Sequence, residues 1–74
     1  MKKVRGLSEL SKREREVLKY VAGGFTAEQI GIKLGLATNT IMVYTFRMRM
    51  KLGARSSAQA VSLAFKKGIL RWPK

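Results

Sequence analysis

The sequence predicts an all-α fold of four short helices. Ser11, Thr26 and Ser56 each have a Glu or Gln three residues later, which is the pattern of a helix capping box. Glycines follow each of the helical segments and are typical of helix ends, and no segment shows the alternation of a strand. With 74 residues and no cysteine, the chain is expected to form one domain with one small core and no disulfide.

The first two helices are predicted to be short and amphipathic. The first begins after Ser11 and ends at Gly23, and the second begins after Thr26 and ends at Gly35. Apolar residues at helical spacing mark their buried faces: Val17, Leu18, Val21, Ile30 and Leu34. Gly31 lies inside the second helix at a cost of roughly 1 kcal/mol relative to Ala. We therefore expect two helix backbones to cross closely at Gly31.

The other two helices occupy the second half of the chain. The third begins near Ala37 or Thr38 and runs to about Leu52. The fourth begins after Ser56 and is closed by Gly68. The chain then divides into a basic N-terminal arm at 1–9, a helical domain at 10–70 and a C-terminal tail at 71–74.

The charge distribution favours a polyanionic partner. The formal net charge is +12, and basic residues continue to the C-terminus although no acidic residue follows Glu28. Phosphate neutralisation releases counterions, so double-stranded DNA is the first candidate and an anionic membrane a weaker one. Without histidine or cysteine, we expect no enzyme, no metal and no cofactor. The absence of an 18-residue apolar run predicts that nothing spans a membrane, and the absence of a secretory signal predicts a cytoplasmic location. The capped helices that end at glycines have a globular pattern, so no membrane partner is expected.

The third helix is predicted to be exposed on one side. Only the residues 35–37, Gly-Leu-Ala, separate it from the second helix, and such a link is typical of a helix-turn-helix. Ile41, Thr45, Met48 and Leu52 form a stripe that faces the core, with Tyr44 on its flank. The opposite side carries Asn39, Met42, Val43, Phe46, Arg47 and Met50. An exposed apolar group with cations at its rim usually meets a partner.

The sequence resembles the LuxR-type (FixJ/NarL-like) DNA-binding domain from Leu10 to about Gly68. The motifs are L-S-K-R-E-R-E-V-L, Q-I-G-x-K-L, T-I and K-L-G in the third helix, and S-S-A-Q-A-V. The resemblance implies a four-helix domain of a bacterial or phage transcription regulator. In such domains the third helix enters the major groove, and the fourth often pairs two subunits.

The resemblance also implies roles for single residues. Glu14 would have a structural role near the helix-turn-helix. Thr26, Thr40 and Lys51 match positions that contact the DNA backbone, and Met42, Val43 and Phe46 match positions that read base edges. Thr38, Asn39 and Arg47 complete the predicted DNA-binding set, with Asn39 on adenine and Arg47 on guanine or phosphate.

The reading positions depart from the family pattern. The family usually has Ser at Ala37, Lys or Arg at Met42, His at Tyr44 and a polar or basic residue at Phe46. One interpretation keeps the helix in the major groove, with apolar side chains on thymine methyl groups and an A·T-leaning preference. A second makes Met42, Phe46 and Met50 a ridge that docks onto a protein, such as a second regulator or RNA polymerase. A third folds Phe46 back onto the core.

The fourth helix has two interpretations. It forms a two-fold dimer, in solution or only on DNA, through Ser57, Ala60, Val61 and Ala64, or it only completes the core. A dimer would hold the two third helices about 34 Å apart, one DNA turn. Because about nine residues precede Leu10 and the chain has no aspartate, we expect no receiver or ligand-binding domain in this chain.

Overall fold

The computed structural model describes residues 10–71, which contain four α-helices and no strand. The helices are α1 (Lys12–Ala22), α2 (Ala27–Leu34), α3 (Thr38–Leu52) and α4 (Ser57–Lys66). The prediction of an all-α fold with four helices is therefore confirmed. The predicted arm at 1–9 and residues 72–74 of the predicted tail lie outside the described part of the chain.

Two complete capping boxes start α1 and α2, as the sequence predicts. Ser11 Oγ accepts a hydrogen bond from the Glu14 N–H at 3.0 Å, and Glu14 Oε1 accepts one from the Ser11 N–H at 2.9 Å. Thr26 and Gln29 make the same reciprocal pair at 3.1 and 2.9 Å. Each box satisfies two backbone donors that the first turn of a helix leaves unpaired.

The start of α4 differs from the prediction of a third box. Ser56 Oγ accepts from the Gln59 N–H at 3.1 Å, but Gln59 Oε1 accepts from the Arg55 N–H at 2.6 Å rather than from Ser56. Ser56 has φ −147°, whereas the caps of α1 and α2 have φ −72° and −77°. This different backbone turn brings the N–H of Arg55 to the Gln59 side chain.

The start of α3 lacks a side-chain cap. Ala37 is its N-cap residue and makes no side-chain hydrogen bond to the first turn. The helix begins at Thr38, one of the two predicted starts, but Thr38 does not take over the capping role. Loss of a Ser, Thr, Asp or Asn cap costs about 1 kcal/mol.

The core consists of two clusters, and α3 contributes to both. Ile41 packs with α1 and α2 through Val17 and Ile30. Met48 and Leu52 belong to a second cluster, whose other members come from α1, α4 and the segments next to the helices: Leu10, Leu18, Ala54, Ala60, Ala64 and Leu70. The predicted inward stripe of α3 is confirmed, because its apolar members are almost completely buried. The α3 helix is therefore held by packing along most of its length.

The turn between α2 and α3 explains the glycine inside α2. A Cβ at Gly31 would lie 2.5 Å from the Leu36 carbonyl oxygen, and the Leu36 N–H donates to Gly31 O at 2.8 Å. The close approach is therefore made by the backbone of the turn, and the predicted crossing of two helix backbones is wrong in this detail. The Leu36 side chain packs against the cluster around Ile41.

Candidate nucleic-acid interface

The side of α3 that faces away from the core is exposed and largely apolar. We call it the outer face of α3; it comprises Asn39, Met42, Val43, Phe46, Arg47 and Met50. The exposed fractions of its four apolar residues are 55% for Met42, 47% for Val43, 54% for Phe46 and 60% for Met50. The interpretation that folds Phe46 into the core is therefore wrong. The outer face offers a continuous surface to a partner.

An arginine fixes the ring at the centre of the outer face. The guanidinium carbon of Arg49 lies 5.7 Å from the centroid of the Phe46 ring, within the range of a cation–π contact. Arg49 Nη1 also donates to the Arg55 carbonyl at 2.8 Å, so the guanidinium is anchored to the segment that precedes α4. The predicted site set omits Arg49. Its spacing of three residues from Phe46 on a helix was the signal that could have found it.

An apolar cleft of about 390 Å³ adjoins the outer face. Met42 and Phe46 form one wall, and Val21 and Phe25 from the segment around the α1–α2 loop are also part of the lining. The Phe25 ring stands edge-on to Tyr20, with centroids 5.5 Å apart. Sequence reasoning did not place Phe25 at the site, because its approach to α3 depends on tertiary packing.

The predicted threonines take different positions. Thr26 is exposed as the N-cap of α2, where its hydroxyl accepts the Gln29 N–H. Thr38 is exposed in the first turn of α3, and Thr40 is half-buried on the flank of the outer face. Thr38 and Thr40 therefore share α3 with the residues predicted to read bases, whereas Thr26 belongs to the preceding helix.

Lys51 lies near the C-terminal end of α3 and pairs with a buried carboxylate. Its Nζ is 2.9 Å from Glu14 Oε1, and Glu14 is only 3% exposed. The same carboxylate completes the capping box of α1, so Glu14 ties the start of α1 to α3, in agreement with its predicted structural role. Burial raises the pKa of Glu14, but hydrogen bonds from Ser11 and Lys51 and the Lys51 charge together lower it below its usual value. The DNA contact of Lys51 remains a prediction.

The structure corrects the predicted dimer surface on α4. Ala60 and Ala64 have no exposed surface and belong to the core cluster around Met48, so they are not available to a second chain. Ser57 and Val61 are half-buried. The exposed residues of α4 are Ala58, Gln59, Ser62 and Lys66. From the sequence, the apolar stripe of α4 could face either this chain's core or a second chain. In this small domain it packs into the core.

Residues 10–71 contain neither a membrane-spanning helix nor a cluster of metal-binding side chains. No helix there combines the length and apolar character that crossing a membrane requires. No group of three or more His, Cys, Asp or Glu side chains in that range lies close enough to hold a metal ion.

Comparison with known proteins assigns this four-helix domain to a family. Residues 8–64 match the family described as bacterial regulatory proteins, luxR family. The chain is 39% identical over 62 residues to the transcriptional activator protein PhzR of Pseudomonas fluorescens, covering 84% of this chain and 25% of that protein. It is 39% identical over 70 residues to the transcriptional regulatory protein YdfI of Bacillus subtilis, covering 95% of this chain and 33% of that protein. The chain thus spans about a quarter to a third of these relatives.

Solved structures give the same answer for the fold. The structure of the transcription factor GerE superposes with a TM-score of 0.79 at 26% identity, over 84% of this chain and 92% of that one. The VqmA–ligand–DNA complex of Vibrio cholera superposes with a TM-score of 0.78 at 30% identity, over 93% of this chain and 30% of that one. The chain is therefore a member of the luxR family of bacterial regulatory proteins, and its four helices form the LuxR-type helix-turn-helix domain.

Proposed function

We propose that this chain is a DNA-binding transcriptional regulator that inserts α3 into the major groove. The proposal rests on the exposed outer face of α3. The opposite side of the same helix packs into both core clusters. A helix about 10–12 Å across fits a major groove about 12 Å wide. A rigid exposed helix in a LuxR-type frame is suited to this docking.

The charge of the domain supports DNA as the partner. Arg47 is an exposed cation on the outer face, and Arg49 is anchored beside Phe46. Thr26 adds a hydroxyl at the start of α2; because this hydroxyl accepts one hydrogen bond, it still carries a proton that it can donate to a phosphate. With a net charge of +12, the chain gains affinity for any duplex by releasing counterions.

The relatives also support DNA rather than a protein as the partner of the outer face. PhzR and YdfI are described as a transcriptional activator and a transcriptional regulatory protein, and the superposed VqmA structure is a complex with DNA. The alternative of a docking ridge made by Met42, Phe46 and Met50 is accordingly not favoured.

We also propose that two chains pair on DNA through α4. The exposed residues Ala58 and Ser62 are small, so two helices can approach closely there, and half-buried Val61 adjoins them. Such a pair would place two copies of α3 about 34 Å apart on one side of the duplex. We further propose a cytoplasmic location, where a bacterial regulator meets its DNA.

Titration of a labelled random-sequence duplex at several salt concentrations tests the proposal. We expect log K to fall linearly with log salt, with a slope of about −0.9 for each neutralised phosphate. Arg47→Ala should reduce the slope by about 1. As a control, Lys66→Ala also removes one positive charge, but from α4 and outside the outer face, so it should change the slope less. Failure to bind at about 50 mM salt, where phosphate contacts are strong, would overturn the proposal.

A further inference from the structure

We propose that the outer face of α3 recognises the C5-methyl groups of thymine, so that the target of this chain is defined by the placement of thymine–adenine pairs. The inference rests on the proposed function, because it requires α3 to enter the major groove. It deepens that function by naming the chemical group that the helix reads. The side chains that carry it are Met42, Val43 and Phe46, with Asn39 beside them.

The chemistry of the three apolar side chains selects the base edge. Met42, Val43 and Phe46 offer no hydrogen-bond donor, and the Met thioether is only a weak acceptor. A guanine–cytosine pair presents two acceptors and one donor in the major groove, and covering them with apolar atoms removes their water without replacing its hydrogen bonds. Among the four standard bases, only thymine presents a methyl group in that groove. Contact with it removes apolar surface from water on both sides.

The three side chains form one contiguous patch. Met42 and Phe46 are four residues apart and Val43 and Phe46 three, so they are neighbours on the helix surface. Each is about half exposed, and Met42 and Phe46 also line the cleft beside α3. Arg49 lies over the Phe46 ring and is itself held by the Arg55 carbonyl. A patch that is ordered before binding loses less side-chain entropy when it meets DNA.

A polar residue on the same face fits the same base pair. Asn39 is exposed on the outer face, three residues from Met42 and four from Val43. Asn is the side chain that pairs with N6 and N7 of adenine through two hydrogen bonds. An adenine next to a contacted thymine, or paired with it, would therefore satisfy Asn39 while the methyl group contacts the apolar patch. The polar and apolar parts of the outer face point to the same base composition.

Removal of thymine methyl groups from a bound duplex tests the inference directly. Selection from random duplexes with the purified chain supplies a bound sequence, and each thymine is then replaced singly by deoxyuridine, which keeps the pairing and lacks only the methyl. We expect affinity to fall about fourfold for each contacted methyl, as for one buried carbon, and about 15-fold for two. Deoxyuridine at positions that the protein does not cover should leave the affinity unchanged.

Two variants link the effect to the patch. Phe46→Ala should lose much of the sensitivity to deoxyuridine, since the ring no longer covers the methyl. Ile32→Ala removes an apolar side chain that is 78% exposed on α2, outside the outer face, and should retain the full sensitivity. Both positions are exposed, and circular dichroism confirms that each variant is folded before titration.

The outcomes distinguish a failure of methyl recognition from a failure of DNA binding. A selected site rich in guanine–cytosine pairs, or equal affinity for thymine and deoxyuridine duplexes, overturns methyl recognition while DNA binding stands. The absence of any bound duplex at about 50 mM salt overturns the proposed function together with the inference. Loss of affinity at single thymines that disappears in Phe46→Ala supports both.

Discussion

Replacing Lys51 with Met leaves the Glu14 carboxylate in place without its cationic partner. Methionine keeps most of the length and apolar volume of the lysine stem, so the change removes chiefly the charge and the 2.9 Å contact. Exposed ion pairs contribute about 0.2–1 kcal/mol, whereas removing one partner of a buried pair costs about 3–5 kcal/mol. Here the Glu14 side chain is 3% exposed and the Lys51 side chain 34%, so we expect an intermediate loss of about 1–2 kcal/mol.

Urea denaturation at about pH 7 measures this loss. An unchanged m-value with a lower midpoint would indicate a change in stability rather than in compactness. For a domain of this size, Tm should fall by about 4–8 °C for each kcal/mol lost. Glu14→Gln and the double variant complete a cycle that isolates the energy of the pair from the other contacts of each residue.

The dependence on pH gives the reasoning a second test. The folded-state pKa of Glu14 lies below its ordinary value of 4.5, so its stabilising contribution is present above that value. This contribution is lost as the pH falls from the ordinary value through the folded-state pKa, because over that range the unfolded chain binds the proton more readily than the folded chain. The stability difference between the natural chain and Lys51→Met should therefore shrink from about pH 7 to about pH 3. Equal stability at pH 7, or a difference that does not shrink with acid, would refute this account of Glu14.

Four further substitutions test the fold by thermal unfolding. Gly31→Ala gains about 1 kcal/mol of helix propensity but forces its Cβ against the Leu36 carbonyl at 2.5 Å, so we expect a net loss, and a higher Tm would contradict the close approach. Ala37→Ser should stabilise the chain by about 1 kcal/mol, because it supplies the missing side-chain cap of α3. Ser56→Ala should destabilise the chain by about as much, because it removes the cap of α4. Tm values equal to that of the natural chain would argue against side-chain capping. Ala60→Leu should lower the free energy of unfolding by about 1–3 kcal/mol, because the larger side chain overpacks the core. An unchanged Tm would contradict the burial of Ala60.

Features that depend on neighbouring residues were predictable from the sequence. The capping boxes at Ser11 and Thr26 involve residues three apart, so the starts of α1 and α2 follow from local chemistry alone. The inward stripe of α3 follows from the period of the helix, and the exposure of Met42 and Phe46 follows because the stripe occupies only one side.

Features that depend on distant residues were not predictable. Glu14 and Lys51 are 37 residues apart, and no local pattern indicates that they form an ion pair. The stripe through Ala60 and Ala64 has the same spacing whether it faces the chain's own core or a second chain, so periodicity could not choose between the two. Gly31 indicated a close approach, but only the folded turn identifies the Leu36 carbonyl as the neighbour.

The division of α3 into two sides separates two kinds of evolutionary change. Substitutions at Ile41 or Met48 disturb packing and are selected against through loss of folded protein. Substitutions at Met42, Val43 and Phe46 alter a surface that contributes little to folding, so many of them leave the domain intact. If the outer face of α3 reads DNA as proposed, a single substitution there changes the target while the scaffold stays the same.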